Sequence, residues 1–433
     1  MIIMLCFLGT RAFTQNIDSL TKYYRAKADK YLVKHKYVNN FFEIDWVGVH
    51  IYANPRAKQR KQAEFTVHWD DLEHFKRLIK YADRSYQLEV YQSKGVQRFS
   101  PQLLNIISIL EKNHHELPIE EDKPLAGIKI AIDPGHIAGT WEVAVAESRF
   151  IEMYGIKKDP IRFFEGELTL TTALVLQDSL ERLGATVMLS RDKADYSALG
   201  MSFDEWMHTE LIDTLLRIGY TLEQTERKIR NTSKRRLYER YFLDEDLDAR
   251  AEKINYFKPH FTVVIHFNAD VNNIGWHTPT QKNYSMVFVP GSYLANELST
   301  STERFDFIRT LLTDHMQEST LLSQFVQNEF ETQLKVPAVS DYRAPKYISQ
   351  FSKKVTKGVY ARNLRLCRLL NTPVCYGESL LQDNKQEVLA LSVNDFKAGI
   401  IAPRLVEVAN AYLVGIKKYV ALLKHRQQYK KSP

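Results

Sequence analysis

Ile128-Lys129-Ile130-Ala131-Ile132-Asp133-Pro134-Gly135-His136 is the stretch on which the reading of this chain turns. Its apolar start predicts a strand over Ile128–Ile132. Pro134 and Gly135 are stop signals that are expected to end the strand and fix a turn. His136 is thereby left at a sheet edge, where an imidazole can bind a metal ion. Working outward, the pattern alternates. Leu168–Leu183 predicts an amphipathic helix with Ala173, Leu176, Leu180 and Leu183 on one face, and Gly184 ends it. Further strands are predicted over Ala185–Ser190, Phe261–His266, Tyr284–Val289 and Thr372–Tyr376, and a long helix over Val406–Leu423. Strand–helix alternation of this kind predicts a layered α/β fold, a mixed sheet flanked by helices with its site at the strand ends. A charged, mostly helical insertion occupies about 194–252, between two strands; part of it is expected to pack near the site and gate it.

Four segments place suitable groups at those strand ends. His136 leaves the first strand, Glu165 precedes the Leu168 helix, His266 ends Phe-Thr-Val-Val-Ile-His266, and Glu378 ends Pro373-Val-Cys-Tyr-Gly-Glu378. Singly, each has an ordinary structural role: a turn histidine, a helix N-terminal charge, a buried hydrogen-bonded histidine, a surface acid. Jointly, two imidazoles and one carboxylate make a zinc site with a position left for water, and a second carboxylate can act as base and proton shuttle. Glu142, Glu147, Glu152 and Glu167 compete with Glu165 for the third ligand place. Other catalytic templates are missing. His115-Glu116 is followed by Leu117-Pro118 rather than a spaced second histidine, and no nucleophile elbow, phosphate-binding loop or dinucleotide fingerprint occurs.

Composition bounds the rest. The 433 residues suit one large α/β domain plus a module, and 44% apolar with 26% charged residues is a globular balance. The formal charge of +7 is spread along the chain, which reads as a solvated basic surface and not as a nucleic-acid site. Cys6, Cys367 and Cys375 are too few for a disulfide framework, and the last two are expected as buried thiols. Residues 1–15 resemble a secretory signal, and no other run is long and apolar enough to span a membrane. Residues 16–122 are expected to form a smaller N-terminal α+β module without evident chemistry. They carry a helix over Ser19–His35, β-rich stretches at Phe42–Ala53 and Phe65–Trp69, and scattered His50, His68 and His74. A polar linker at Glu116–Leu125 separates the module from a catalytic domain over 125–425.

Residues 125 to about 420 resemble the zinc-dependent N-acetylmuramoyl-L-alanine amidases of the amidase-3 type. Ile-Ala-Ile-Asp-Pro-Gly-His136 is similar to that family's first block and Glu165-Gly-Glu-Leu-Thr-Leu to its second. Leu183-Gly-Ala-Thr-Val-Met-Leu-Ser-Arg-Asp192 is similar to the helix-to-strand signature that follows. Asp248-Ala-Arg250, Asn255 and Val264-Ile-His266-Phe-Asn-Ala match the third block, Ser319-Thr-Leu-Leu-Ser a later helix start, and Pro373-Val-Cys-Tyr-Gly-Glu378 with Asn384 the last. The resemblance implies Zn2+ held by His136, Glu165 and His266, with Glu378 catalytic. It implies cleavage of the amide between N-acetylmuramic acid and L-alanine in peptidoglycan, a periplasmic, envelope or secreted location, and a protein activator as a partner to look for. Three departures stand out. Ile137-Ala138-Gly139 replaces a glycine pair after His136, 29 positions separate His136 from Glu165, and Leu380-Leu381 replaces Gly-Phe. The alternatives are a catalytically silent wall-binding or regulatory protein on the same fold, or a zinc hydrolase of another amide.

Overall fold

The computed structural model describes residues 17–93, 98–112, 123–273, 275, 277–340 and 344–431. The signal-like segment 1–15 and most of the expected linker lie outside these residues. Three strands near the N-terminus, β1 (Phe42–Ile44), β2 (Gly48–Ile51) and β3 (Phe65–His68), form an antiparallel meander. The β-rich stretch read as one run over Phe42–Ala53 is therefore two strands. Asp45 causes the break: its Oδ1 accepts the backbone N–H groups of Val47 (2.8 Å) and Gly48 (3.2 Å), a local side-chain turn.

The main sheet has seven strands. They are β4 (Lys129–Pro134), β7 (Thr186–Leu189), β8 (Phe261–Asn268), β9 (Met286–Val289), β10 (Ser352–Thr356), β11 (Val359–Arg362) and β12 (Val374–Leu381), in the order β10-β11-β9-β12-β8-β4-β7. β7, β4, β8 and β12 run parallel; β9 is antiparallel to β12, β11 parallel to β9 and β10 antiparallel to β11. Strand β8 is buried along all but its last residue, as its unbroken apolar run requires of a central parallel strand. One sheet face presents Ile130, Ile132, Val263, Ile265 and Cys375 to helices α1 (Glu165–Arg182), α3 (His315–Thr332) and α4 (Pro403–Lys431). The other presents Ala131, Val264 and Val374 to Ala251 and Ile254 of α2 (Leu243–Phe257). The sheet is thus mixed and covered on both faces, as the alternation predicts. Cys367 and Cys375 are buried free thiols.

The long step from His136 to Glu165 is filled by a short helix (Trp141–Glu147) and a two-stranded hairpin, β5 (Phe150–Met153) paired with β6 (Ile161–Phe164). The β10–β11 hairpin was likewise not anticipated. Ser319 does not open a helix. It is buried inside α3, and its Oγ accepts the Val374 N–H (2.8 Å), docking the start of β12. The stretch between β7 and β8 is helical as expected, with helices over Phe203–His208, Glu210–Arg217, Leu222–Asn231 and Lys234–Leu237 before α2. Among the described residues no helix is long and apolar enough to cross a membrane.

Candidate metal centre

Strands β4, β8 and β12 lie side by side and parallel, so their C-terminal ends share one sheet edge. His136 follows the end of β4, His266 lies near the end of β8, and Glu378 pairs in register with His266 on β12. Glu165 is the first residue of α1, where the helix dipole favours a carboxylate. His136 Nε2 lies 3.4 Å and His266 Nδ1 3.0 Å from the same oxygen, Glu165 Oε1. One donor atom from each of the three residues falls within 4.8 Å of the others. Bonds of about 2.0–2.1 Å to a tetrahedral ion put neighbouring ligand atoms about 3.3 Å apart, so this donor set fits zinc in both spacing and chemistry.

Each of these three side chains is held by its surroundings. The His266 ring stacks on Tyr376, with centroids 4.6 Å apart and planes 9° from parallel. On its other side it passes so close to Gly135 that a Cβ there would fall 2.2 Å from His266 Cε1. Glu165 Oε1 also accepts the Phe267 N–H (3.1 Å), and Oε2 accepts from Gln382 Nε2 (3.1 Å). His136 itself has φ +58°, a left-handed conformation uncommon outside glycine. Two buried arginines hold that turn. Arg250 donates to the carbonyls of Pro134 (2.7 Å) and His136 (3.1 Å), and Arg191 to those of Pro134 (3.1 Å), Gly135 (3.1 Å) and Gly166 (2.8 Å). Arg250 is in turn paired with Asp246 (2.8 Å) and Asp133 (3.1 Å).

The electrostatics follow from this packing. Burial drives the His136 pKa well below the usual histidine value and outweighs the Glu165 charge, which leaves the neutral, metal-binding form. Burial would raise Glu165, but the charges of His136 and His266 and the His266 hydrogen bond pull it down to about 2. For His266, burial favours the neutral ring, while the Glu165 hydrogen bond and the Glu165 and Glu378 charges prevail and raise its pKa. Glu378 is pushed up to about 7, chiefly by burial, with His266 opposing and Glu165 adding. Its Oε2 is enclosed and has no hydrogen-bond partner.

None of the rival acids joins the converging donors. Glu142 meets Lys234, Glu152 accepts from Arg162 Nε (2.7 Å), and Glu147 lies beneath the turn after His136. Glu167 is not among the converging donors. Sequence reasoning did not assign roles to Arg191, Tyr376 or Gln382. For Arg191 there was a signal, a lone arginine two residues past β7, close enough to the strand end to be buried there.

The amidase-3 family, described as N-acetylmuramoyl-L-alanine amidase, matches residues 130–405. Among solved structures the chain is similar to the CwlD amidase from Clostridioides difficile in complex with the GerS lipoprotein. The identity is 17% over 68% of this chain and 99% of that chain, with a TM-score of 0.38. It is also similar to the N-acetylmuramyl-L-alanine amidase Ami1 from Mycobacterium smegmatis, at 15% identity over 69% of this chain and 98% of that chain, with a TM-score of 0.39. No curated protein sequence matches.

Proposed function

The chain belongs to the amidase-3 family of N-acetylmuramoyl-L-alanine amidases, and from that premise we propose that it is a zinc-dependent peptidoglycan hydrolase. The bond cut is the amide between the lactyl group of N-acetylmuramic acid and the L-alanine of the stem peptide. One observation carries the reading: two imidazoles and a carboxylate converge at 3.0 and 3.4 Å on the sheet edge where Glu378 lies one strand away. His136, Glu165 and His266 would hold the ion. Zinc bound there supplies Lewis-acid polarisation of the carbonyl and lowers the pKa of its water to about 7.

The chain's own groups do the proton work. Glu378 takes one proton from the attacking water as the new C–O bond forms. It returns that proton to the nitrogen as the C–N bond breaks, so the products are a lactyl carboxylic acid, which then ionises in water, and a free L-alanine amine. Burial of Glu378 in the metal-free protein raises its carboxyl to about 7, a property that suits a group that both takes and returns a proton. Tyr376, stacked on His266, keeps that ring from turning out of the site. On the same side of the sheet, Arg362 lies over the rings of Phe288 (5.3 Å) and Tyr347 (4.8 Å). A cation fixed in that way suits the carboxylates of a stem peptide. The substrate lies outside the cytoplasmic membrane, and a signal-like N-terminus agrees with that, so we place the protein in the periplasm or cell envelope.

The test is digestion of purified sacculi by zinc-loaded protein, with chelated protein and Glu378→Gln alongside. New L-alanine amino termini are expected only from the zinc-loaded wild type, which should carry about one zinc per chain by elemental analysis. Zinc-loaded protein that releases none would defeat the amidase reading.

A further inference from the structure

We propose that Glu147 is the positioning carboxylate of His136, and that the helical insertion holds it in place through Tyr238. The inference rests on the metal reading above and extends it to residues outside the ligand set.

His136 presents Nε2 to Glu165, so its Nδ1 faces away from the centre. The carboxylate on that side is Glu147, whose Oε2 lies 4.0 Å from Nδ1. A shift of about 1 Å would bring the pair within hydrogen-bond range. An acceptor on the far nitrogen of a metal-bound imidazole sets its tautomer and ring orientation. Glu147 is itself fixed. Oε1 accepts from the Ile137 N–H (2.8 Å) and the Tyr238 hydroxyl (2.6 Å), and Oε2 from the Ala138 N–H (3.3 Å).

Tyr238 belongs to the insertion and packs among Phe203 and Phe242, with ring centroids 5.3 and 5.1 Å away. The side chain of Ile137 is buried in that same cluster. Asp195, at the start of the insertion, accepts the N–H groups of Gly139 (2.6 Å) and Thr140 (2.9 Å). The exit from His136 is thus held at four consecutive residues, Ile137, Gly139 and Thr140 directly from the insertion and Ala138 through Glu147. The buried Ile137 side chain ties the turn to the insertion by packing as well as by hydrogen bonds.

The test compares wild type, Glu147→Gln, Tyr238→Phe and Leu211→Ala, a truncation in the same cluster with no polar link to the turn. Zinc affinity is read by competition with a chromophoric chelator, and ligand geometry by the visible spectrum of the cobalt(II)-loaded protein. Glu147→Gln is expected to weaken zinc roughly 10- to 100-fold and to change the cobalt spectrum. Tyr238→Phe should act in the same direction to a smaller degree, and it carries the test if Glu147→Gln fails to fold. Leu211→Ala should lower Tm and leave both readouts unchanged. Variants indistinguishable from a zinc-binding wild type, or an equal loss in Leu211→Ala, would overturn this inference alone. A wild type that takes up neither ion would overturn both the inference and the metal reading beneath it.

Discussion

Glu378 combines a buried oxygen without a partner and a carboxyl raised to about 7. In the metal-free protein this is a stability cost with a definite pH window. Below pH 4.5 the group is neutral in both folded and unfolded chains, and its favourable contribution is complete. As pH rises from 4.5 to about 7 the unfolded chain releases the proton first and that contribution is lost. Glu378→Gln should abolish hydrolysis and stabilise the metal-free protein at pH 8 by roughly 2–3 kcal/mol. Denaturant titrations at pH 4.5 and 8 check this, because the variant should show a flatter pH dependence than the wild type. Gly135 makes a second residue-scale case. A methyl group there would overlap the His266 ring at 2.2 Å, so Gly135→Ala should displace that ring and cost about tenfold or more in zinc affinity, measured by competition titration. The residue types of both were legible in the sequence. Their reasons were not, since contact between Gly135 and His266 crosses more than a hundred residues of chain.

At the scale of elements, the turn after β4 depends on α2. Arg250 carries the buried Asp246 and Asp133 pairs, the buried Pro134 carbonyl and the half-buried His136 carbonyl. Arg250→Met would leave two buried carboxylates without their cation, a loss of about 3–5 kcal/mol. Chemical denaturation should show that loss, with zinc binding weakened in the protein that remains folded. Elements with a strong period, such as α1, β4 and β8, were readable because local apolar pattern and final burial agree. The β5–β6 hairpin and the split of Phe42–Ala53 were not. The first is short and amphipathic on both strands, and the second is decided by one aspartate side chain bonding its own backbone.

At the scale of the molecule, the N-terminal meander and its helices share one continuous apolar cluster with the large domain. Phe42 meets Phe307 with centroids 4.9 Å apart, Tyr91 meets Phe305 at 5.4 Å, and Arg304 pairs with Glu64 at 2.5 Å. Deleting residues 1–122 should therefore expose Phe305 and Phe307, at roughly 1.5–3 kcal/mol for each ring, and leave Arg304 without its partner. Size-exclusion chromatography and hydrophobic-dye binding should report an aggregating, dye-binding product; a monomeric, dye-silent fragment would count against this packing as a requirement for folding. The sequence by itself determined the succession of the strongly periodic elements of the large domain, the strand-end position of His136 and His266, and the four residues worth following, because each is set by a local period or a local stop signal. Only the tertiary structure shows which of Glu142, Glu147, Glu152, Glu165 and Glu167 lies beside both His136 and His266. All five lie close to one another in sequence, and what separates them is which carboxylate the hairpin and α1 carry to within 3.4 Å of two imidazoles supplied by strands far apart in the chain.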